Sequence, residues 1–283
     1  VSALSHAPYR GRIAPSPSGY LHLGHARTFW IASQRALAAN GTLLLRNDDL
    51  DTQRSKPEYA LAMLEDLYWL GLRWQEGPQP PDGRETGDFG PYAQSRRGAL
   101  YQQAFEQLKE SGAIYPCICS RRDLQRAAQA PHAEDDDEPL YPGTCRANTE
   151  AQGECAWRFR VPDGEVISFP DLYLGPQSFV AGKDFGDFLV MRRDGVPSYQ
   201  LACVVDDDAM KITEVVRGRD LLKSTARQIL LQRALGLHTP AYFHTDLMLD
   251  ERGARLAKRH DVLSLRSLRE EGVTAEEIVR RFS

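Results

Sequence analysis

Apolar positions open the chain as a short run, Arg12-Ile13-Ala14, stopped by Pro15 and Pro17. From Gly24 they take helical spacing through Phe29, Ile31, Ala32, Leu37 and Ala38, and end at Asn40-Gly41. This order predicts strand, loop and helix in succession. Leu43-Leu44-Leu45-Arg46 predicts a second strand, and a second helix opens on Pro57 and closes at Gly71, with Leu64, Leu67 and Leu70 on one face. Alternation of strands with helices predicts an α/β domain built on a doubly wound parallel sheet.

Gly77 to Gly90 is rich in Pro, Gly and Asp and predicts a boundary loop, followed by a helix carrying Leu100, Phe105 and Leu108 that ends at Ser111-Gly112. His132 to Glu138 is almost wholly acidic and predicts a solvated insertion. Trp157–Val161, Val166–Phe169 and Asp187–Arg192 show strand-like alternation, which predicts a smaller β-containing insertion. Val204-Val205, with Cys203 beside them, and Ile212–Val216 predict further strands. A helix through Leu221, Leu222, Ile229, Leu230 and Leu235 ends at Gly236. Thr274 followed by Glu277 is a capping box that predicts a final short helix.

With 283 residues, 42% of them apolar and 26% charged, the chain has material for roughly two domains of about 150 residues and is not generally disordered. No stretch approaches the ~18 uninterrupted apolar residues of a membrane span, so a cytoplasmic, soluble protein without a membrane partner is expected. Thirty-five basic and 39 acidic side chains give a net charge of −4, so any nucleic-acid contact must rest on local patches. Arg252, Arg255, Lys258, Arg259, Arg266 and Arg269 form one such late segment. Five cysteines do not make a disulfide framework, and their uneven placement points to reduced thiols with a metal cluster as one use.

The segment Pro15-Ser16-Pro17-Ser18-Gly19-Tyr20-Leu21-His22-Leu23-Gly24-His25 places two histidines at a predicted helix start. Free backbone N–H groups, two imidazoles and a glycine without a side chain together suit a triphosphate. On their own the same histidines also fit a pair of half-buried helix caps.

Arg12-Ile13-Ala14-Pro15-Ser16-Pro17-Ser18-Gly19 leading into His22-Leu23-Gly24-His25 resembles the signature of the class I glutamyl- and glutaminyl-tRNA synthetases. The resemblance continues through Leu45-Arg46-Asn47-Asp48-Asp49, Ser198-Tyr199-Gln200-Leu201, Val204-Val205-Asp206-Asp207, Val216-Arg217-Gly218-Arg219-Asp220 and Arg255-Leu256-Ala257-Lys258-Arg259. It implies that ATP, with Mg²⁺, activates an amino acid as its adenylate. His22 and His25 then stabilise the pentacoordinate phosphorus, Gly24 completes the ATP site, and Lys258 neutralises the departing pyrophosphate. The family's loop reads Lys-x-Ser-Lys, whereas this chain has Arg255 and Ala257 at the first and third positions.

The resemblance also implies that Arg12 and Arg217 hold the carboxylates of the amino acid, while Tyr199 and Ser16 line the pocket and Asp48 meets the ammonium. Asp48 stands where glutamyl enzymes carry Glu and the glutaminyl branch carries Asp. Arg217 decides for glutamate, because an arginine pairs with a carboxylate and leaves an amide N–H₂ unpaired.

Cys117-Ile118-Cys119, with Tyr141 and Cys145 returning later, supplies two donor pairs of the kind a closed tetrahedral site requires, and Cys155 competes as the fourth ligand. The C-x-C…Y-x-x-x-C arrangement resembles the zinc site of the short glutamyl-queuosine tRNA(Asp) synthetase paralogues. This resemblance implies one structural Zn²⁺ on Cys117, Cys119, Tyr141 and Cys145, with queuosine-bearing tRNA(Asp) as the acceptor. Cys203 is expected to be a small core residue.

On this resemblance residues 1–88 and 191–240 are the two halves of a Rossmann-like catalytic domain. Residues 89–190 are an inserted acceptor-like, zinc-binding subdomain, and 241–283 a lysine loop with a short helical stem-contact-like region. Only 24 residues follow Arg259, so no anticodon-binding domain is expected; a monomer is the expected state. The alternatives are a catalytic fragment charging tRNA(Glu) and a catalytically degenerate RNA-binding relative.

Overall fold

The computed structural model describes residues 8–120, 123, 140–150, 153–248 and 264–282. In chain order, β1 is Arg10–Ile13, α1 Leu23–Ala38, β2 Thr42–Leu45, α2 Pro57–Trp69, β3 Gly77–Gln79 and β4 Arg84–Thr86. Then come α3 Gly98–Glu110, β5 Ile114–Cys117, β6 Ala156–Phe159, β7 Val166–Asp171, β8 Gly175–Val180 and β9 Leu189–Met191. The last elements are α4 Tyr199–Ala209, β10 Glu214–Gly218, α5 Leu222–Leu235, β11 Ala241–Thr245, α6 Leu265–Glu270 and α7 Ala275–Arg280. The chain folds as two units, one from residues 1–97, 209–219 and 240–283, the other from 98–208 and 220–239.

The first unit is built on parallel strands. β1 pairs with β2, and β10 with β11, both in parallel. The carbonyl of Arg10 accepts from the Thr213 N–H at 2.9 Å, and the Arg12 guanidinium reaches the Val216 carbonyl at 3.2 Å, so β10 runs beside β1 in the same direction. β1 is therefore flanked on one side by the strand that follows α1 and on the other by a strand some 200 residues later. This is a topological switch point, and ligands of open α/β sheets bind outside the carboxyl ends of the strands there. Ile13, Leu43, Leu45, Leu64, Leu67 and Leu70 form the core beneath it, and burying each such side chain contributes roughly 1.5–3 kcal/mol.

Pro57 occupies the first turn of α2, where its missing N–H costs nothing. Fully buried Asp66 on α2 accepts from Arg266 Nε on α6 at 3.1 Å. The Thr274 and Glu277 side chains cap α7 reciprocally, as the sequence predicts. The Pro- and Gly-rich stretch read as a loop holds an antiparallel hairpin, β3–β4, that the weak alternation of its residues concealed.

The second unit carries the antiparallel sheet β5-β6-β9 and the hairpin β7–β8. Val204-Val205, expected as a strand, instead lie with Cys203 inside α4. Every residue from Leu201 to Asp207 is buried, so the helix is covered all round and its apolar run loses the 3.6-residue period that would reveal it. α5 ends as expected at Gly236, which takes the left-handed conformation at φ 66°. The acidic run His132–Glu138 lies outside the described residues. Among the described residues no helix is long and apolar enough to cross a membrane.

Candidate active site and metal centre

The loop after β1 delivers His22 to the N-cap of α1, where its Nδ1 accepts from the Gly24 N–H at 3.2 Å. A neutral imidazole that accepts through Nδ1 carries its proton on Nε2, so the capping ring keeps an N–H donor at the helix N-terminus. His25 stacks on His22 with ring centroids 3.8 Å apart, and Phe29 stacks behind His25 at 6.2 Å. A Cβ at Gly24 would lie 3.2 Å from the His22 ring, so the glycine makes room for the capping imidazole itself. Donors, stacked rings and dipole together form a place for an anion.

The turns after β1 and β2 are tied together, the Asp48 N–H donating to the Pro15 carbonyl at 3.0 Å, which brings Asp48 beside exposed Ser16. The Asp48 carboxylate accepts from Arg46 at 2.7 Å through Nε and 3.3 Å through Nη2, and the Arg46 side chain is wholly buried. Arg12 and Arg217 are both 5% exposed and stand at the carboxyl ends of neighbouring strands. Arg217 Nε donates to His244 Nε2 at 3.3 Å, and its guanidinium lies 5.4 Å from the Tyr242 ring centroid. Tyr199 opens α4 in the other unit, with 42% of its surface exposed.

Lys258, with Arg255, Ala257 and Arg259, lies outside the described residues. The described chain on either side meets α1 and the loop before it. Arg27 donates to the Asp246 carbonyl at 2.9 Å, Leu265 N–H donates to the Leu21 carbonyl at 2.7 Å, and His22 bridges to Ser264.

In the second unit Cys117, Cys119 and Cys145 bring their sulfurs within 4.8 Å of one another, an arrangement able to hold a metal ion. Cys119 and Cys145 Sγ are 3.6 Å apart, and the Tyr141 hydroxyl is 3.4 Å from both Cys117 and Cys119 Sγ. Cys155 is not among the converging sulfurs. Cys203 is a buried core residue, as expected. Burial pushes the Cys119 thiol up to about 11 and raises the Tyr141 phenol well above its ordinary value. Burial acts the same way on Cys145, but hydrogen bonds from Tyr141, the Ile118 backbone and the neighbouring thiols hold it below the usual thiol value. The Arg158 guanidinium lies over the Tyr141 ring at 4.2 Å.

Two residues of this neighbourhood escape sequence reasoning. Arg46 sits in a quoted motif, and its charge two residues before Asp48 was a usable signal. His244 had none, because its pairing with Arg217 appears only when β10 and β11 come together in register.

Residues 9–283 match the family model described as class I tRNA synthetases (E and Q), catalytic domain. The chain is 50% identical over 277 residues to the Glutamyl-Q tRNA(Asp) synthetase of Symbiobacterium thermophilum, covering 95% of this chain and 84% of that one. It is 45% identical to glutamate-tRNA ligase 2 of Nitrosococcus oceani, covering 94% of this chain and 56% of the ligase. Among solved structures it resembles a glutamate tRNA ligase from Elizabethkingia meningosepticum in complex with its amino acid. There the TM-score is 0.76 and the identity 30%, with 89% of this chain and 52% of that chain covered.

Proposed function

This chain belongs to the class I glutamyl- and glutaminyl-tRNA synthetase catalytic-domain family, and from that premise we propose that it activates L-glutamate with ATP and transfers the glutamyl group to the queuosine base of tRNA(Asp). In the first step an α-carboxylate oxygen of glutamate attacks the α-phosphorus of ATP, and the bond to pyrophosphate breaks. In the second a hydroxyl of the queuosine cyclopentene diol attacks the activated carbonyl and loses its proton, and AMP departs with the bonding electron pair.

The observation that carries the proposal is the placement of two buried guanidinium groups, Arg12 and Arg217, at the carboxyl ends of adjoining parallel strands, in the unit whose first helix opens on the stacked pair His22 and His25. A dicarboxylic amino acid offers one carboxylate to each arginine, and the imidazoles stabilise the charge that builds on phosphorus. Asp48 takes the substrate ammonium while retaining Arg46. Ser16 completes the glutamate set of this unit, Gly24 the ATP set, and Lys258 the pyrophosphate contact. Mg²⁺ accompanies ATP as counter-charge to the triphosphate.

We assign Zn²⁺ to Cys117, Cys119, Tyr141 and Cys145. Bonds of about 2.3 Å to sulfur and about 2.0 Å to oxygen in a tetrahedron require S···S near about 3.8 Å and S···O near about 3.5 Å. The 3.6 Å and 3.4 Å separations fit that geometry. A bound ion would join the end of β5 to the segment that carries Tyr141 and Cys145.

Identity to the Glutamyl-Q relatives supports queuosine as the acceptor, and identity to the glutamate-tRNA ligases supports a second reading, charging of tRNA(Glu). Radiolabelled glutamate offered to tRNA(Asp) with and without queuosine, and to tRNA(Glu), separates them. Label on queuosine-bearing tRNA(Asp) alone is the expected result, and 3′-end charging of tRNA(Glu) establishes the second reading instead.

A further inference from the structure

Arg217 and His244 are direct register partners on the parallel strands β10 and β11, so their side chains leave the sheet on the same face. His244 is wholly buried, and its Nε2 accepts the Nε–H of Arg217 at 3.3 Å. An imidazole that accepts through Nε2 is neutral with its proton on Nδ1. Below the pair, the Tyr242 ring stacks with His244 at 6.0 Å and stands under the guanidinium at 5.4 Å. Behind it, Thr245 Oγ1 donates to the Arg217 carbonyl at 3.4 Å and meets Thr28 Oγ1 at 3.3 Å, which ties the strand end to α1.

A guanidinium binds a carboxylate in two ways, side-on through Nε and one Nη or end-on through both Nη groups. With Nε–H engaged by His244, the side-on mode through Nε is closed and the guanidinium is held in one rotation. A bidentate contact loses its value when the fork rotates by a few tens of degrees, because one of its two N–H donors then points past its oxygen. Neighbours that lock the rotamer of a binding group are therefore part of its selectivity.

We infer that His244 is a positioning residue that fixes the edge of Arg217 presented to the side-chain carboxylate of the substrate, and so sets the preference for glutamate over glutamine. The inference rests on the reading of Arg217 as the glutamate partner. His244 acts through that guanidinium and touches no substrate atom.

Glutamate-dependent ATP–pyrophosphate exchange by the full chain tests it, with His244→Leu, His244→Gln, His244→Asn and Arg217→Ala. Leucine removes the acceptor and should raise the glutamate KM at least about tenfold while the ATP KM stays within about twofold. Glutamine places an amide oxygen near the position of Nε2 and should recover most of that loss. Asparagine ends one atom shorter and should not. This contrast decides the matter even if the leucine variant fails to fold. In an Arg217→Ala background His244→Leu should add nothing to the glutamate KM.

Equal behaviour of the glutamine and asparagine variants, equal loss toward both substrates, or independent multiplicative effects with Arg217→Ala would overturn the inference and leave His244 a packing residue. An Arg217→Ala protein with an unchanged glutamate KM, or a wild type without glutamate-dependent exchange, would overturn the reading of the site as well. The two failures are thus told apart by the Arg217 arm.

Discussion

Asp48 rests both carboxylate oxygens on Arg46, two residues earlier, and the guanidinium beneath them has no exposure to solvent. The short side chain suits this arrangement, since it holds the carboxylate close to the backbone that the Pro15 carbonyl fixes. Replacing it with alanine leaves a buried cation without that counter-charge. Asp48→Ala should therefore lose roughly 3 kcal/mol or more of stability, and the glutamate KM should rise where the variant stays folded. Denaturant unfolding beside exchange kinetics checks both, and an unaltered unfolding midpoint would show that Arg46 is satisfied elsewhere.

His22 has two duties that one substitution can separate. Asparagine is a good N-cap and keeps an acceptor for the Gly24 N–H, but it lacks the Nε2 donor. His22→Asn should hold the thermal midpoint near that of the wild type while kcat for exchange falls about a hundredfold, the scale of one lost transition-state donor. A folded asparagine variant with full kcat would remove His22 from the phosphate chemistry.

The metal centre predicts about one zinc per purified chain by elemental analysis, falling when Cys119 or Cys145 is replaced by serine. Burial raises the Cys119 thiol to about 11, so binding must displace a proton and affinity should climb as pH rises toward that value. Zinc affinity independent of pH between 6 and 8 would argue against thiolate ligation.

Glu76 couples the start of β3 to β1 by accepting from both ends of the Arg10 guanidinium at 2.8 and 2.9 Å. The hydrogen bond from Arg10, helped by Tyr92 against the effect of burial, holds its carboxyl below the ordinary value of 4.5. A depressed carboxyl contributes stability above the unfolded-state value and loses it as pH falls through the folded one. Glu76→Gln should therefore cost about 1–2 kcal/mol at pH 7, and the gap from the wild type should close on acidification below 4.5. A gap that stays constant with pH would mean that shape and not charge is what Glu76 supplies.

What could be read in advance was local. The N-cap at His22, Pro57 in the first turn of α2, Gly236 after α5 and the Thr274–Glu277 box each depend on neighbours within a few residues, and the structure has all four. The cysteine grouping was legible in part, since chain spacing sets Cys117 and Cys119 together, while the return of Tyr141 and Cys145 to them came from the family resemblance. α4 was hidden because its burial erases amphipathic period, and β3–β4 and β11 because each is short with polar residues among its apolar ones. The partnership of Arg217 with His244 was invisible for a different reason. It is a property of strand register, and no composition or spacing states which two strands will be neighbours.

The contact of β1 with Thr213, 203 residues away at the entrance to β10, also sets a timetable for synthesis. At about 5–20 residues per second a ribosome needs roughly 10–40 s to bring Thr213 out after Arg10. Throughout that interval β1 has β2 on one edge and no native partner for the other, and a bare strand edge is a template for pairing between nascent chains. That edge of β1 is therefore open during translation and covered after it. Slower elongation through residues 98–208 lengthens the exposure without changing a single contact of the finished fold.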